Sequence, residues 1–221
     1  MDGYLNEIKQ LEVDKKQIVK AFDLIYEAWA SYKNIFICGN GGGASVSSHF
    51  ATDLIKLGVP AYSLDDNPST ITMITNDSGW DKVYEEQLNG KFWQGDVLVC
   101  FSVHGGKGKE KAGRWSQNLL RAVDYARSQG GKVIGFVGHD GGEIKKLADV
   151  CVDIKSESTP IIEGFQSLLT HLIVKLLSGC QPTRLCECGK IRQCSKVYCD
   201  CGKSGYRYQL GIVGNVEDLR K

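Results

Sequence analysis

The sequence predicts an α/β protein with a doubly wound parallel sheet flanked by helices, followed by a small cysteine-rich C-terminal module. Short, continuous apolar runs alternate along the chain with stretches of helical periodicity. Apolar runs of this kind are typical of strands that helices cover on both faces. Strand–helix alternation with short turns indicates a parallel sheet. The module is indicated by cysteine usage, since six of the nine cysteines lie between Cys180 and Cys201.

The individual elements follow from the same patterns. Residues 4–32 have helical periodicity with a break near Val13–Asp14. Strands are predicted at 34–38, 60–64, 96–101, 132–137 and 150–154. Helices are predicted at 44–57, 69–75, 82–88, 117–129, 143–148 and 159–177. These elements divide the chain into an N-terminal helical segment (1–33), an α/β domain (34–178) and the cysteine-rich extension (179–221).

Composition and charge exclude several functional classes. The chain has 221 residues, of which 42% are hydrophobic and 24% charged, as expected of a globular protein. Its formal net charge of +1 gives no electrostatic footprint for nucleic acid or an anionic membrane. The charged N-terminus lacks the apolar region of a secretory signal, and no apolar run reaches the length of a membrane span. We therefore expect a cytoplasmic protein without a disulfide framework, in which Cys38, Cys100 and Cys151 are core residues.

A glycine-rich segment, Gly39-Asn-Gly-Gly-Gly-Ala-Ser45, connects the first strand to the following helix. Glycines allow backbone amides to approach an anion, and a helix N-terminus adds the positive end of its dipole. This pattern predicts a phosphate-binding loop; a glycine-rich turn without a ligand is the alternative. The predicted ligand residues are Asn40, Gly41, Gly42, Gly43 and Ser45. The spacing matches neither the dinucleotide fingerprint nor a Walker loop.

Two helices carry polar groups at spacings that place them on one face. His49 and Asp53 are four residues apart, and Glu163 and His171 are eight apart on a mostly apolar helix that also carries Gln166. Two histidines and two carboxylates suit a divalent metal such as zinc, or acid–base chemistry on a sugar. The alternatives are a polar surface pair for the first helix and a satisfied core histidine for the second.

The C-terminal module contains a repeat, Cys186-Glu-Cys-Gly-Lys190 and Cys199-Asp-Cys-Gly-Lys203. Four thiolates, from Cys186, Cys188, Cys199 and Cys201, would form a structural tetrahedral zinc site. A single residue separates the two cysteines of each pair, whereas two residues are more usual in zinc sites. An iron–sulfur cluster and adventitious disulfides are the alternatives.

Residues 35–177 resemble the SIS-domain sedoheptulose 7-phosphate isomerases, also known as phosphoheptose isomerases. The resemblance rests on Gly39-Asn-Gly-Gly with His49-Phe-Ala51, Asn76-Asp77 with Gly79, Gly95-Asp-Val-Leu98 and the spacing from Glu163 to His171. It implies an aldose–ketose isomerase for heptose precursors. It also implies a homotetramer built on N-terminal helices, which here correspond to residues 1–33.

The resemblance also implies roles for individual residues. His49 falls on a metal-ligand position of zinc-containing members, and Asp53 falls on the family's glutamate base with one methylene fewer. Glu163 falls on a glutamine ligand position. His171 matches the histidine that transfers the second proton and also binds the metal, while Asp77 matches a substrate contact.

The second phosphate loop departs from the family pattern, which is a Ser-Thr-Ser-Gly-Asn-Ser run. Here the chain reads Ser102-Val-His-Gly-Gly106, followed by an inserted stretch from Lys107 to Trp115 before Ser116. Ser102, His104 and Ser116 are predicted phosphate ligands, and charged groups at His104, Lys107 or Lys109 could replace neutral hydroxyls. Remodelling for another ligand, or a simple solvated loop, is the alternative.

The sequence thus predicts a zinc-containing isomerase that uses Asp53 and His171 as its proton-transfer pair, with Gln166 near the substrate. The alternative function is non-catalytic: an SIS-domain regulator that binds phosphosugars, or a protein-binding tetramer. The paired carboxylates and histidines favour the enzyme, because a binding protein has no need of proton-transfer groups.

Overall fold

In the computed structural model, residues 2–106 and 116–180 are described in full. Beyond Cys180, the backbone of three short strands is described, at 183–186, 191–193 and 206–209. The predicted ligands Cys188, Cys199 and Cys201 lie outside the described residues, as does the inserted stretch from Lys107 to Trp115. The side chain of Cys186 also lies outside them.

A five-stranded parallel sheet forms the centre of the domain, which confirms the predicted fold class. The strands are β1 (Ile35–Gly39), β2 (Ala61–Ser63), β3 (Val97–Ser102), β4 (Lys132–Val137) and β5 (Val150–Asp153). Their order is β2-β1-β3-β4-β5, and every neighbouring pair is parallel. The strand order reverses between β1 and β3, and ligands of such sheets bind beyond the carboxyl ends of the strands at this point.

Among the described residues, eight α-helices connect and cover the strands, close to the predicted positions. They are α1 (Asp2–Lys9), α2 (Lys15–Ala30), α3 (Gly42–Lys56), α4 (Pro68–Asp77), α5 (Glu85–Leu88), α6 (Gln117–Ser128), α7 (Gly142–Leu147) and α8 (Thr159–Ser178). The stretch predicted as one helix at 82–88 is instead a 3₁₀ turn at Trp80–Lys82 followed by α5. Helix α3 begins two residues earlier than predicted, so it includes part of the glycine-rich segment.

The sheet separates two buried apolar clusters, one on each face. On one face, Phe50 of α3 packs edge-on against Phe101 of β3, which stacks on Phe136 of β4 at 5.0 Å between ring centroids. On the other, Leu119 of α6 and Ile144 of α7 cover the sheet. Buried aromatic side chains remove large apolar areas from water, so these contacts hold α3 firmly across β3.

The N-terminal segment consists of two different parts. Helix α2 buries Ile18, Phe22 and Ile25 in the core of the α/β domain, whereas α1 buries no residue. Helix α1 exposes Tyr4, Leu5 and Ile8. The predicted boundary at residue 33 therefore separates helix α2 from the core into which it packs, whereas α1 exposes its apolar side chains.

The C-terminal boundary also lies later than predicted. Cys180 is 3% exposed and belongs to the same buried cluster as α8, and its thiol contacts the Leu176 carbonyl at 3.4 Å. It is therefore a core cysteine rather than a member of the tail cluster. Burial raises the pKa of its thiol.

Helix α8 is long and apolar enough to satisfy a membrane-span criterion, but 39% of that stretch is buried inside the protein. It packs against α3 and α2, and Ile162, Leu169 and Ile173 lie in the core. Leu168 and Leu172 of the same helix are exposed, so these contacts account for only part of its apolar composition.

Beyond Cys180, the described backbone forms a second, antiparallel sheet that the sequence patterns did not predict. Its strands are β6 (Thr183–Cys186), β7 (Ile191–Gln193) and β8 (Tyr206–Gln209), in the order β7-β6-β8. Cys186 is paired with Tyr206, so the last residue of β6 lies beside the first residue of β8.

Candidate active site

The glycine-rich segment connects β1 to α3, as predicted, and it lies at the switch point of the sheet. Gly41 has φ +58°, a left-handed conformation that favours glycine, and it precedes the first turn of α3. A Cβ at Gly39 would lie 2.4 Å from the Gly43 carbonyl carbon, and one at Gly43 would lie 3.2 Å from the Phe101 carbonyl oxygen. Close packing of helix on strand therefore accounts for two of the glycines independently of any ligand.

Asn40 is held in the loop by side chains that the sequence analysis missed. It exchanges two hydrogen bonds with Asn118, at 3.0 and 2.8 Å, and its Oδ1 lies 3.3 Å from the Tyr84 hydroxyl. Asp65, directly after β2, contacts both Tyr84 and the Gly39 amide. Only the position of Asp65 at a strand end offered a sequence signal, because Asn118 and Tyr84 lie on a helix and a turn without any motif.

Two of these groups have strongly altered acidity. Burial raises the pKa of the Asp65 carboxyl to about 6, although its hydrogen bonds with Tyr84, Ser47 and the Gly39 amide partly oppose the shift. Burial, followed by the nearby Asp65 carboxyl, raises the pKa of Tyr84 well above its ordinary value. The Cys38 thiol is also fully buried beside Cys100, and its pKa is raised.

His49, Asp53 and His171 meet across the contact between α3 and α8. Asp53 Oδ2 lies 3.4 Å from His49 Nε2 and 3.4 Å from His171 Nδ1, and the two imidazole centroids are 5.0 Å apart. The side chains of the histidines are 54% and 52% exposed, whereas that of Asp53 is 13% exposed. The more exposed Lys56 Nζ lies 3.3 Å from Asp53 Oδ1. The structure thus assembles three of the four predicted core ligands, with the carboxylate innermost.

Glu163 does not lie in this group. Its carboxyl lies against the first turn of α3, where a Cβ on Gly42 would be 2.3 Å from Glu163 Cδ. Eight residues on a straight helix separate Glu163 from His171 by about 12 Å along the axis. Glu163 and His171 therefore belong to the same helix but not to the same site.

The side chain of Gln166 does not reach the surface either. It is fully buried, and its Nε2 donates to the Phe136 carbonyl at 3.0 Å. Its Oε1 is buried without a hydrogen-bond partner among the described residues. The polar group that the sequence suggested for the substrate thus faces the end of β4.

The second loop is held by its own backbone. The buried Ser102 Oγ accepts a hydrogen bond from the Gly105 amide at 3.0 Å, and the His104 ring lies 4.2 Å from that of His139. Ser116 precedes α6, and its carbonyl accepts from the amide of Leu119. Each of these groups lies at a carboxyl strand end or the following helix start.

Asp77 lies at the exposed end of α4, where the Asn76 amide donates to its carboxylate at 2.7 Å. An open cleft of about 510 Å³ runs between α3 and the segment after β2. Its lining is mostly polar: Ala44, Ser45, Ser48, His49, Thr52, Asp65 and Asp66. Ser45 and His49 therefore share one cleft, which extends from the end of the glycine-rich segment to His49.

The group of His49, Asp53 and His171 fits a divalent metal. One potential ligand atom from each residue lies within 4.8 Å of the others. Two imidazoles and one carboxylate are also the protein ligands of some catalytic metal sites. Because both histidines are exposed, a metal held by these residues would be accessible to a small molecule.

Comparison with known proteins identifies the class of protein. Residues 3–138 match the SIS domain family. Phosphoheptose isomerase from Nitratiruptor is 34% identical over 166 residues, covering 72% of this chain and 84% of that protein. The Aliarcobacter butzleri phosphoheptose isomerase is 31% identical over 177 residues, covering 77% and 89%.

Among solved structures, phosphoheptose isomerase GmhA from Neisseria gonorrhoeae superposes with a TM-score of 0.68 at 30% identity. The match covers 74% of this chain and 85% of that one. The chain belongs to the phosphoheptose isomerase family of SIS-domain proteins.

Proposed function

We propose that this protein is an aldose–ketose isomerase that converts sedoheptulose 7-phosphate to a heptose 7-phosphate, a step in heptose precursor biosynthesis. Family membership supports the reaction class. The observation that carries the proposal is the meeting of Asp53 with His171 and with His49, since His49 also lines a polar cleft that begins at the glycine-rich segment. The phosphate is held at Gly41–Ser45, where α3 begins, with Ser102, His104 and Ser116 as further ligands.

The reaction moves one proton between the first two carbons of the sugar. A base removes a proton from the first carbon of the ketose, the electrons form the enediol double bond, and a proton is delivered to the second carbon. A second group moves a proton between the two oxygens. Asp53 is the base and His171 the second group, because they are neighbours and Asp53 is the better shielded from water.

We propose that zinc is the metal that His49, Asp53 and His171 hold. When bound, zinc polarises a carbonyl oxygen and stabilises negative charge on it. A carboxylate that holds a metal tightly is not free to accept a proton, so Asp53 cannot perform both roles at once. Turnover by the metal-free and zinc-loaded proteins therefore separates the two roles.

The test is a proton NMR time course with sedoheptulose 7-phosphate in deuterated buffer, with and without added zinc. We expect an aldoheptose phosphate with deuterium at the second carbon. Absence of both conversion and exchange, from protein whose fold is verified by circular dichroism, would contradict the proposal.

A non-catalytic role remains the competing hypothesis, as a phosphosugar-binding regulator or a protein-binding tetramer. The departure in the loop after Ser102 is its main support. Under this hypothesis the wild-type protein has no isomerase activity, and Asp53→Asn would leave phosphosugar binding unchanged. The grouping of a shielded carboxylate with two exposed imidazoles favours the enzyme.

We further propose that the protein is cytoplasmic and that it forms a homotetramer through its N-terminal part. Support for association comes from α1, whose apolar residues Tyr4, Leu5 and Ile8 are exposed in the single chain. Exposed apolar surface of this kind is characteristic of interaction sites.

A further inference from the structure

The segment that leads into the phosphate loop is tied to a cluster of oxygen atoms centred on Tyr84. The Tyr84 hydroxyl oxygen lies 2.5 Å from the Gly39 carbonyl oxygen, 2.7 Å from Asp65 Oδ1 and 3.3 Å from Asn40 Oδ1. Tyr84 is 1% exposed. A tyrosine hydroxyl has a single proton to donate, yet three oxygens surround it.

The orientation of Asn40 follows from a backbone donor. The Leu119 amide, which can only donate, lies 2.9 Å from Asn118 Oδ1, so the other side-chain atom of Asn118 is its Nδ2. That Nδ2 donates to Asn40 Oδ1 at 2.8 Å. The Asn40 atom facing Tyr84 is therefore an oxygen and cannot supply a proton.

The two short contacts of Tyr84 then require two protons. The Gly39 carbonyl only accepts, so the Tyr84 proton satisfies that contact. The 2.7 Å contact with Asp65 Oδ1 needs a proton of its own, because two unprotonated oxygens at that distance repel. Asp65 Oδ2 accepts from the Gly39 amide at 3.2 Å, which leaves Oδ1 as the atom that carries the proton.

We propose that Asp65 is a neutral carboxylic acid in this structure and that it positions the start of the phosphate loop through Tyr84. Asp65 Oδ1–H donates to Tyr84, Tyr84 donates to the Gly39 carbonyl, and the Gly39 amide donates back to Asp65. The ring of hydrogen bonds fixes both backbone polar groups of Gly39, directly before Asn40. The role of Asp65 in ligand binding rests on the proposed function; its protonation does not.

The electrostatic surroundings are consistent with a retained proton. The groups that face Asp65 are Asp66 in the same loop, Tyr84, the Ser47 hydroxyl of α3 and the buried Cys38 thiol of β1. The buried Cys100 thiol of β3 faces Tyr84 and Cys38. On α3, His49 lines the same cleft. Burial, with the negative charge of Asp66, raises the pKa of Asp65 to about 6.

Loss of this proton changes the loop. When Asp65 ionises, its carboxylate competes with the Gly39 carbonyl for the single Tyr84 proton, and Gly39 loses its donor. We therefore expect the loop to bind an anion less tightly once Asp65 is charged. By linkage, binding of a phosphosugar at the loop is accompanied by proton uptake at Asp65.

The Asp65→Asn variant distinguishes whether Asp65 is neutral or charged in the wild-type protein. The asparagine amide can donate to Tyr84 while its oxygen accepts from the Gly39 amide, which reproduces the proposed pattern. If Asp65 were a carboxylate accepting from both groups, the single oxygen of asparagine could not replace it. Tyr84→Phe removes the ring in either case, and Asp124→Asn on α6 is the control for an exposed carboxylate.

The ligand-independent test is carbon-13 NMR of the Asp65 side-chain carboxyl in the full chain, assigned with Asp65→Asn. We expect this signal to titrate near pH 6, and the amide signals of Gly39 and Asn40 to move with it. A carboxyl that is already ionised at pH 5 would overturn the proposal even if the protein is a sugar isomerase.

The ligand test uses Kd for sedoheptulose 7-phosphate in an Asp53→Asn background, in which turnover is expected to be slow. The phosphate itself titrates in this range, so the informative quantity is the ratio of Kd with Asp65 to Kd with Asp65→Asn at each pH. We expect a ratio near one at pH 5 that rises about fivefold by pH 8, at the lower end of ordinary coupling between sites. A constant ratio, or loss of binding in Asp65→Asn at pH 5, would reject the positioning role. Absence of binding by every variant, with the NMR titration intact, would reject only the proposed function.

Discussion

At the scale of single residues, the acid–base assignment rests on Asp53, whose carboxylate lies within 3.4 Å of two imidazoles. Asp53→Asn removes the base and preserves the shape of the side chain. We expect kcat to fall by about a hundredfold to ten-thousandfold, the usual contribution of a positioned base. The measurement is the NMR conversion assay, with Asp124→Asn as the matched exposed control. Wild-type turnover by Asp53→Asn would remove Asp53 from the mechanism.

Gly42 and Glu163 form a second residue-scale pair. A Cβ at position 42 would meet the flexible end of Glu163, so Gly42→Ala should rotate the carboxyl away without breaking the fold. If that carboxyl contacts substrate, Gly42→Ala and Glu163→Ala should each raise KM by about tenfold, the effect of a lost hydrogen bond to a charged group.

The double variant should be no worse than either single one, because both changes remove the same group. Gly164→Ala is the control, since a Cβ there meets nothing within 4 Å. Additive effects of the two changes would show that Glu163 and Gly42 act separately.

The pKa of Asp65 also predicts a dependence of stability on pH. Its ordinary value of 3.8 is raised to about 6 in the folded protein, so the folded state retains the proton when the unfolded chain has lost it. The contribution of Asp65 to the free energy of unfolding is therefore fully present below about pH 4, and it is lost as the pH rises to about 6. The difference amounts to roughly 3 kcal/mol at most.

Urea unfolding of wild type and Asp65→Asn between pH 4 and pH 7 measures this effect. We expect the free energy of unfolding of wild type, relative to the variant, to decrease with rising pH. An increase would mean that Asp65 is stabilised as a carboxylate.

At the scale of elements, the tail provides a test of the second zinc site. The repeat that begins at Cys186 starts on the last residue of β6, and the repeat that ends at Lys203 shortly precedes β8. Cys186, the first residue of the first repeat, is paired with Tyr206, which follows the second repeat by three residues in the sequence. This register supports a shared metal site.

Elemental analysis of the purified chain should then find two zinc ions in wild type. Cys188→Ser should lower the content to one, by loss of the tail site, and His49→Ala should lower it to one by loss of the core site. Cys194→Ser, outside the four predicted ligands, should retain both. Unchanged zinc in Cys188→Ser would contradict the tail site.

At the scale of the whole molecule, association is predicted to depend on α1. Leu5→Glu with Ile8→Glu places charges on an exposed apolar face, so the fold of the single chain should be preserved while the tetramer dissociates. Sedimentation velocity measures the outcome. Met73→Glu, at a comparably exposed position on α4, is the control. An unchanged tetramer in the α1 variant would place the interface elsewhere.

The sequence by itself determined the architecture. Continuous apolar runs such as Val97–Ser102 need cover on both faces, and strand–helix alternation has few other solutions, so the five-stranded sheet followed. Local spacing also placed His49 and Asp53 together, because residues four apart on a helix are neighbours. Polar groups on two otherwise apolar helices suggested that His171 joins His49 and Asp53, and the family resemblance assigned Asp53 and His171 as the proton-transfer pair.

Only the tertiary structure decided which polar groups meet. Glu163 and Gln166 share a helix with His171, yet one lies against Gly42 and the other against the Phe136 carbonyl. Asp65, Tyr84 and Asn118 belong to three separate elements, and no spacing in the chain relates them. Periodicity specifies the face of an element, whereas contacts between elements depend on how sheet and helices pack, which is a property of the whole fold.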